Sequence, residues 1–361
     1  MIKRFFKAIG LIAVFGVSLC SLYLANLFLM KPASIDHFLG KELLTGMADS
    51  PESLTYIGIF DQFNWITKHN SKLSIPNPED LQADIKDVKK TLKILSKYKD
   101  SSLTDNQKIT KSIAIFDTEN NLRQLEEFPY HDYPLNQVRG AHHNVISFMS
   151  DMHPIRSLSE AKDFIKRTNL VLDVHLGQLS WLEKQAAEGI YAPKFVYGHL
   201  IKQLNELINY SLEEHPLFTQ FNKKAELLDI TENELASLNA DLKLSIEKSV
   251  TPGFVLLRDF MISTKDKANP HHGIWSQPDG DEFYKLRIRS YTTTDYSPQK
   301  IHDLGLSEVA RISSRMKEIL VSLGYDANKA SGALMNELNE DPSMLYADTA
   351  DRKEIVVQDY M

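Results

Sequence analysis

From Ala8 to Met30 the chain carries no charged side chain, and its most polar members there are Ser18, Ser21 and Asn26. No other feature limits the fold so strongly. As a helix these positions would extend about 34 Å, enough to cross the hydrocarbon core of a bilayer. Lys3, Arg4 and Lys7 precede the run and only Lys31 follows closely, and basic residues stay on the cytoplasmic side of a first span. The pattern predicts a basic cytoplasmic tail over 1–7 and a single inner-membrane anchor over 8–30, with the bulk of the chain facing the periplasm or exterior. Secretion after signal cleavage is the alternative. Signal cores are usually shorter and end at small residues, and a cut after Cys20 would leave another apolar run at the new N-terminus. Lipid attachment at Cys20 is disfavoured by Leu19 just before it.

The remainder reads as an ordinary globular chain, with 43% apolar and 25% charged residues in 361. That composition excludes a disordered, collagen-like or multi-span protein. The formal charge is −7, and without Lys3, Arg4, Lys7 and Lys31 the other residues carry −11. A body this acidic repels a phosphate backbone, so nucleic acid is not an expected partner. Cys20 is the single cysteine, which excludes an intrachain disulfide and any multi-cysteine zinc or iron–sulfur centre.

Residues 31–80 read as an irregular linker and entry segment punctuated by Pro32, Pro51, Pro76 and Pro78. Beyond them, 81–361 reads as one continuous helical body. Leu81 to Lys97 sets Leu81, Ile85, Val88, Leu92 and Leu95 on one stripe, and Thr104 to Phe128 continues in that style. A helix near Ser157–Ala187 opens on Ser157-Leu-Ser-Glu160, a capping-box pattern, and ends before Gly189. Pro193–Leu212 follows. Thr231-Glu-Asn-Glu234 starts the next helix, which Pro252 kinks or ends. Ser297-Pro298 opens a helix running to Leu323 before Gly324. Strand signals are scarce, so the fold class is mostly α.

No two of the 15 glycines lie two, four or five positions apart. The dinucleotide-binding, nucleophile-elbow and Walker motifs are therefore absent. None of the twelve histidines precedes a glutamate, so the helical zinc-peptidase pair is missing. His142-His143 and His271-His272 are adjacent pairs whose side chains diverge, and surface or hydrogen-bonding roles fit them better than metal binding. His175 reads as a satisfied core histidine, and His302 as a packing or capping residue. No catalytic residue, metal ligand or cofactor is assigned. The densest polar cluster, Asp279 to Asp295, supplies the candidate substrate cleft: Arg287 and Arg289 to grip a carboxylate, Tyr284 and Tyr291 to orient it. A helix with a solvated charged face is the simpler alternative.

Gly-Ile-Tyr-Ala-Pro-Lys-Phe-Val at 189–196, Gln-Pro-Asp-Gly-Asp-Glu-Phe-Tyr at 277–284 and Tyr-Thr-Thr-Thr-Asp at 291–295 occur in order. Pro298-Gln-Lys-Ile-His-Asp-Leu-Gly-Leu-Ser-Glu-Val-Ala-Arg-Ile follows at 298–312, and Pro134-Leu-Asn-Gln-Val to His153-Pro-Ile precedes them. Together these stretches resemble the bacterial family of unknown function numbered 885, over roughly residues 50 to 361. The resemblance implies a mostly helical, exported or lipid-anchored protein similar to zinc-dependent gluzincin peptidases. It places the zinc motif, a His-Glu pair followed by Pro-Gly-His-His, in a C-terminal half beyond Met361. The expectation is thus a helical body like the N-terminal half of such a peptidase, truncated before its zinc ligands and preceded by one transmembrane helix. Zinc is expected only in full-length relatives. Three functions follow: a membrane-anchored, catalytically silent ectodomain, either peptide-binding or a relic; the front half of a split zinc peptidase completed by a separate C-terminal half; or a non-catalytic helical interaction module.

Overall fold

The computed structural model of the chain describes residues 15, 16, 18, 21–28 and 30–361. Much of the predicted 8–30 anchor lies outside these residues. Among the described residues no helix is long and apolar enough to cross a membrane. Regular structure is almost wholly helical, with a lone bridge between Pro193 and Asn269.

The stretch 31–80, expected to be irregular, holds helices α1 (Ile35–Ala48), α2 (Pro51–Ile57) and α3 (Asn64–Thr67). The prolines explain the difference. Pro51 and Pro78 stand at first helical positions, where a missing N–H costs nothing and a fixed φ favours the turn. α4 (Leu81–Leu95) and α5 (Asp105–Glu127) are the two predicted helices; α4 buries Leu81, Ile85 and Leu95 on its apolar stripe, whereas α5 buries Asn120, and Thr104 with Gln107 closes a capping box on α5. Against them Ile35 and Phe38 of α1 pack on Leu95 and Tyr98.

After α6 (Ala141–Ser147) the chain makes a π turn, Phe148–Met152, and Lys224 Nζ takes the carbonyls of Ser150 and His153 at its end. The helix expected over 157–187 is two, α7 (Leu158–Thr168) and α8 (Val171–Ala187). Ser249 holds the break: its hydroxyl donates to Asn169 O and accepts from Leu172 N–H, both at 2.9 Å. Capping at Ser157 is half of the expected box. Its hydroxyl accepts from Glu160 N–H, but the Glu160 carboxylate turns to Arg156.

α9 (Lys194–Asn209), α10 (Pro216–Ala225), α11 (Glu232–Ser245) and α12 (Thr251–Thr264) complete the main core. Pro252 does not end the helical run. α11 runs through a π turn at Ile246–Val250 into α12, which absorbs the hydrogen bond that proline cannot donate. Leu200, Leu204, Leu242, Phe254 and Leu257 are fully buried there, each contributing about 1.5–3 kcal/mol by burial.

The chain divides into two compact units, one ending at Leu286 and the other spanning Arg287–Met361. No linker marks the division, which falls inside α13 (Gly280–Thr292). The second unit holds the rest of α13, then α14 (Pro298–Ser322), α15 (Ser331–Glu340) and α16 (Arg352–Tyr360). α14 and α15 pack on each other, and Gly324 takes the left-handed φ of 98° that ends α14.

Candidate functional site

Arg167 is completely buried near the end of α7, on a helix that also buries Ala161, Asp163, Phe164, Ile165 and Thr168. No carboxylate pairs with it directly. Its guanidinium Nε donates to Lys72 O at 2.7 Å, Nη1 to His153 Nδ1 at 2.9 Å, and Nη2 to Thr55 Oγ1 at 3.0 Å and to His69 O. The Phe148 ring lies 4.9 Å from the guanidinium carbon. Burial lowers the Arg167 pKa to about 10, partly offset by the charges of Glu52 and Asp163, so it stays protonated at neutral pH. His153 Nε2 faces Glu160 O at 3.3 Å, which leaves Nδ1 bare to accept from Arg167. Burial first, then the Arg167 charge, pushes the His153 pKa down to about 3.

This hub holds three walls of a cleft in place. Through Thr55 it fixes α2, through Lys72 the extended segment beyond it, and through Phe148 the end of α6. The cleft they form with α8 has a volume of about 330 Å³. Leu73, Pro76, Val145, Phe148 and Val174 supply apolar surface. Ala141, Asn144, Val145 and Phe148 line it at helical spacing, as do Val174 and Gln178 of α8. Close approach is required at Gly177, where an added Cβ would sit 2.1 Å from Pro76 O.

Two carboxamides open into this cleft. Gln178 is 6% exposed, and its amide has no hydrogen-bond partner among the described residues. Asn144, exposed on α6, likewise has an unpartnered side chain. The carboxylate on the wall, Glu52, is occupied: it accepts from Ser74 N–H and Ser74 OH, each at 2.7 Å. No lysine or arginine lines the cleft. The arrangement offers apolar contact plus paired donors and acceptors, the general make-up of a small ligand pocket.

Next to the cleft, on the same two helices, stand His142 and His175. His142 is buried, and Nε2 faces Gln203 Oε1 at 3.2 Å. His175 is buried as expected, but it is not satisfied, since neither ring nitrogen has a partner among the described residues. Gly253 makes room for it, because a Cβ there would meet Nδ1 at 2.4 Å. Burial pushes His142 to about 4 and His175 to about 3. His143 lies beside His142, whereas His271 and His272 are exposed and stack on Trp275 and Phe195. His302 is exposed near the start of α14.

The four residues singled out from sequence all lie on α13. Tyr284, in the first unit, is 42% exposed. In the second unit Arg287 Nη2 donates to Tyr291 OH at 2.9 Å, with the guanidinium over the Tyr291 ring. Arg289 points elsewhere on the helix, and its Nε donates to Asp295 Oδ1 at 3.0 Å. The structure thus joins Arg287 to Tyr291 and gives Arg289 a separate partner. Among the described residues no three His, Cys, Asp or Glu side chains come together to hold a metal ion. The described residues therefore offer no ligand set that fits a zinc ion.

Sequence reasoning missed Arg167, Asn144 and Gln178. Gln178 could have been found from the spacing Val171, His175, Gln178, Leu182, Gln185, which is the buried face of α8.

The model of a family described as a bacterial protein of unknown function (DUF885) matches residues 51–361. No curated protein matches the chain. Its fold is similar to a crystal structure described as "the putative lipoprotein from Colwellia psychrerythraea", with a TM-score of 0.72 and 23% identity over 87% of this chain. The chain spans 56% of the length of that protein.

Proposed function

The chain belongs to this bacterial family of unknown function, and from that premise we propose that it is an extracytoplasmic binding protein, tethered to a membrane by residues 8–30. Its ligand is a neutral apolar peptide segment seated between α6 and α8. The observation that carries this reading is Gln178, a side chain only 6% exposed that lines a cleft with apolar walls and has no hydrogen-bond partner among the described residues. A peptide bond presents one N–H and one C=O, the complement of a carboxamide. At about 330 Å³ the cleft is at the small end for ligand pockets, enough for one large side chain and its adjoining amides. Without a lining cation it disfavours anionic ligands. The lipoprotein description of the structural relative and the uncharged N-terminal run both support the tether.

The test is titration of the full chain, in mild detergent, with a set of short neutral, acidic and basic peptides. Neutral apolar peptides should bind, and Gln178→Leu should weaken them about five- to tenfold, the loss of one hydrogen bond. That variant should keep its fold, because the amide bonds to nothing in the protein. Equal affinity before and after the change, or preference for acidic peptides, rejects the site.

A second reading rests on length. The chain spans 56% of the length of the solved relative; in this reading a separate C-terminal fragment would supply zinc ligands and complete a peptidase, with Arg287, Arg289 and Tyr291 near the substrate. Mixing the chain with a folded C-terminal fragment should then give stoichiometric zinc and chelator-sensitive peptide cleavage. A folded fragment that restores neither removes this reading.

A further inference from the structure

Among the described residues the end of the apolar run meets the body at Tyr23, whose ring packs edge-on against His37 of α1 at 5.5 Å, and around Asn26. Asn26, within the helical residues 21–28, accepts from Ala33 N–H at 3.1 Å and donates to Lys31 O at 3.3 Å. Tyr98, at the turn between α4 and α5, donates to Pro32 O at 2.8 Å, and Lys31 Nζ stands 3.8 Å above its ring. Gln107, in the first turn of α5, donates to Asp36 at the start of α1, at 2.6 Å. The exit of the apolar run is therefore fastened to the α4–α5 turn rather than hung on a loose linker.

That same turn carries lysines. Lys97 and Lys99 flank Tyr98, are exposed, and have no ion-pair partner among the described residues. Lys108 and Lys111 follow on α5 and pair with Asp105 at 2.9 Å and Asp100 at 2.8 Å. Counting Asp36 as well, five lysines stand here against three aspartates, in a chain whose net charge is −7. The local excess of positive charge runs against the character of the whole molecule.

We infer that this end is the membrane-facing base of the protein, and that Lys31, Lys97 and Lys99 bind the phosphates of anionic lipid headgroups. The inference rests on the reading that residues 8–30 enter the bilayer. If they do, the contacts of Tyr98 hold the α4–α5 turn at headgroup level. Lysines within a screening length of an anionic surface attract it, by about fivefold in bound population for each residue. The docked base would keep the first unit in one orientation instead of letting it swing about its tether.

The experiment reconstitutes the full chain into vesicles of phosphatidylcholine alone, or mixed with phosphatidylglycerol, and follows hydrogen exchange of residues 96–104. Exchange should slow severalfold in the anionic vesicles only. The slowing should disappear in K97E/K99E, shrink partway in K97Q/K99Q, and vanish when salt rises from about 0.1 M to about 1 M. Equal exchange in the two vesicle types, with the protein floating in both, overturns the docking while leaving the tether intact. A chain that floats with neither overturns the tether itself, and the docking with it.

Discussion

Helices α8 and α14 obey opposite rules. α8 buries His175, Gln178 and Gln185 along with Val171 and Leu182, yet leaves Leu176 45% exposed. α14, 25 residues long, buries only Leu320 and leaves Leu304, Leu306, Val309, Ile312, Ile319 and Val321 exposed. A side chain's polarity sets its preference, but what its neighbours can offer decides its place. Gln185 reaches two carbonyls, Tyr130 O at 2.6 Å and Asp132 O at 2.5 Å, so its burial is compensated. His175 and Gln178 are not compensated by the protein, and they lie at and beside the cleft. In the second unit, by contrast, few apolar side chains are removed from water. The first unit should therefore respond to charge, and the second to almost none of the same perturbations.

The largest effect expected is acid unfolding of the first unit. His142 and His215 are pushed down to about 4, and His153 and His175 to about 3, with burial the leading cause in all four. Above pH 6.5 these imidazoles are neutral in both states and contribute no pH dependence. As pH falls below 6.5 the unfolded chain takes up protons that the folded chain refuses. Stability then drops by about 1.4 kcal/mol per pH unit for each histidine, until each folded value is reached. The three tryptophans, Trp65, Trp181 and Trp275, all belong to the first unit, so their fluorescence reports it alone. It should show unfolding below about pH 6 with uptake of close to four protons. A flat fluorescence signal down to pH 4 would break the contrast.

Next in size is Arg167→Met. Removing the guanidinium strands the Lys72 and His69 carbonyls and the bare His153 nitrogen in the interior. A loss of about 3–5 kcal/mol is expected in urea denaturation followed by tryptophan fluorescence. Arg167→Lys should recover little, because an ammonium lacks the planar fork that reaches several partners at once. A loss under about 1 kcal/mol would show that the cleft walls are held by something else.

How much of this was legible beforehand differs along the chain. α4 was readable from its apolar spacing, and α14 because its serine cap, its first-turn proline and the following glycine agreed on its limits. The single helix over 157–187 was misread because its break at Asn169–Leu170 depends on Ser249, a residue far away in sequence. The buried face of α8 holds a histidine and two glutamines beside Val171 and Leu182. Hydrophobicity alone could not show that. Nor could it show Arg167, whose partners are mostly backbone carbonyls and carry no sequence signature. The Tyr–Arg cluster on α13 was visible as a polar run, but the separate pairing of Arg287 and Arg289 follows from their angular separation on the helix.

Two smaller effects sharpen the contrast from each side. His175→Leu removes two buried nitrogens that bond to nothing. It should stabilise by about 1 kcal/mol at neutral pH, since taking away an unsatisfied polar group relieves its desolvation, and it should take one proton from the acid transition. A marked destabilisation would instead mean that a bound water or ligand partners the ring.

On α14, Leu306→Glu and Val309→Lys exchange exposed apolar groups for charges. Each should change stability by no more than about 0.5 kcal/mol while raising the concentration at which the protein begins to associate. Chemical denaturation monitored by circular dichroism, with light scattering at rising concentration, measures both. A loss above about 1 kcal/mol from either substitution would mean that the stripe is covered in solution. In that case α14 follows the same rule as α8, with a neighbour still to be identified, and the opposition between the two helices dissolves.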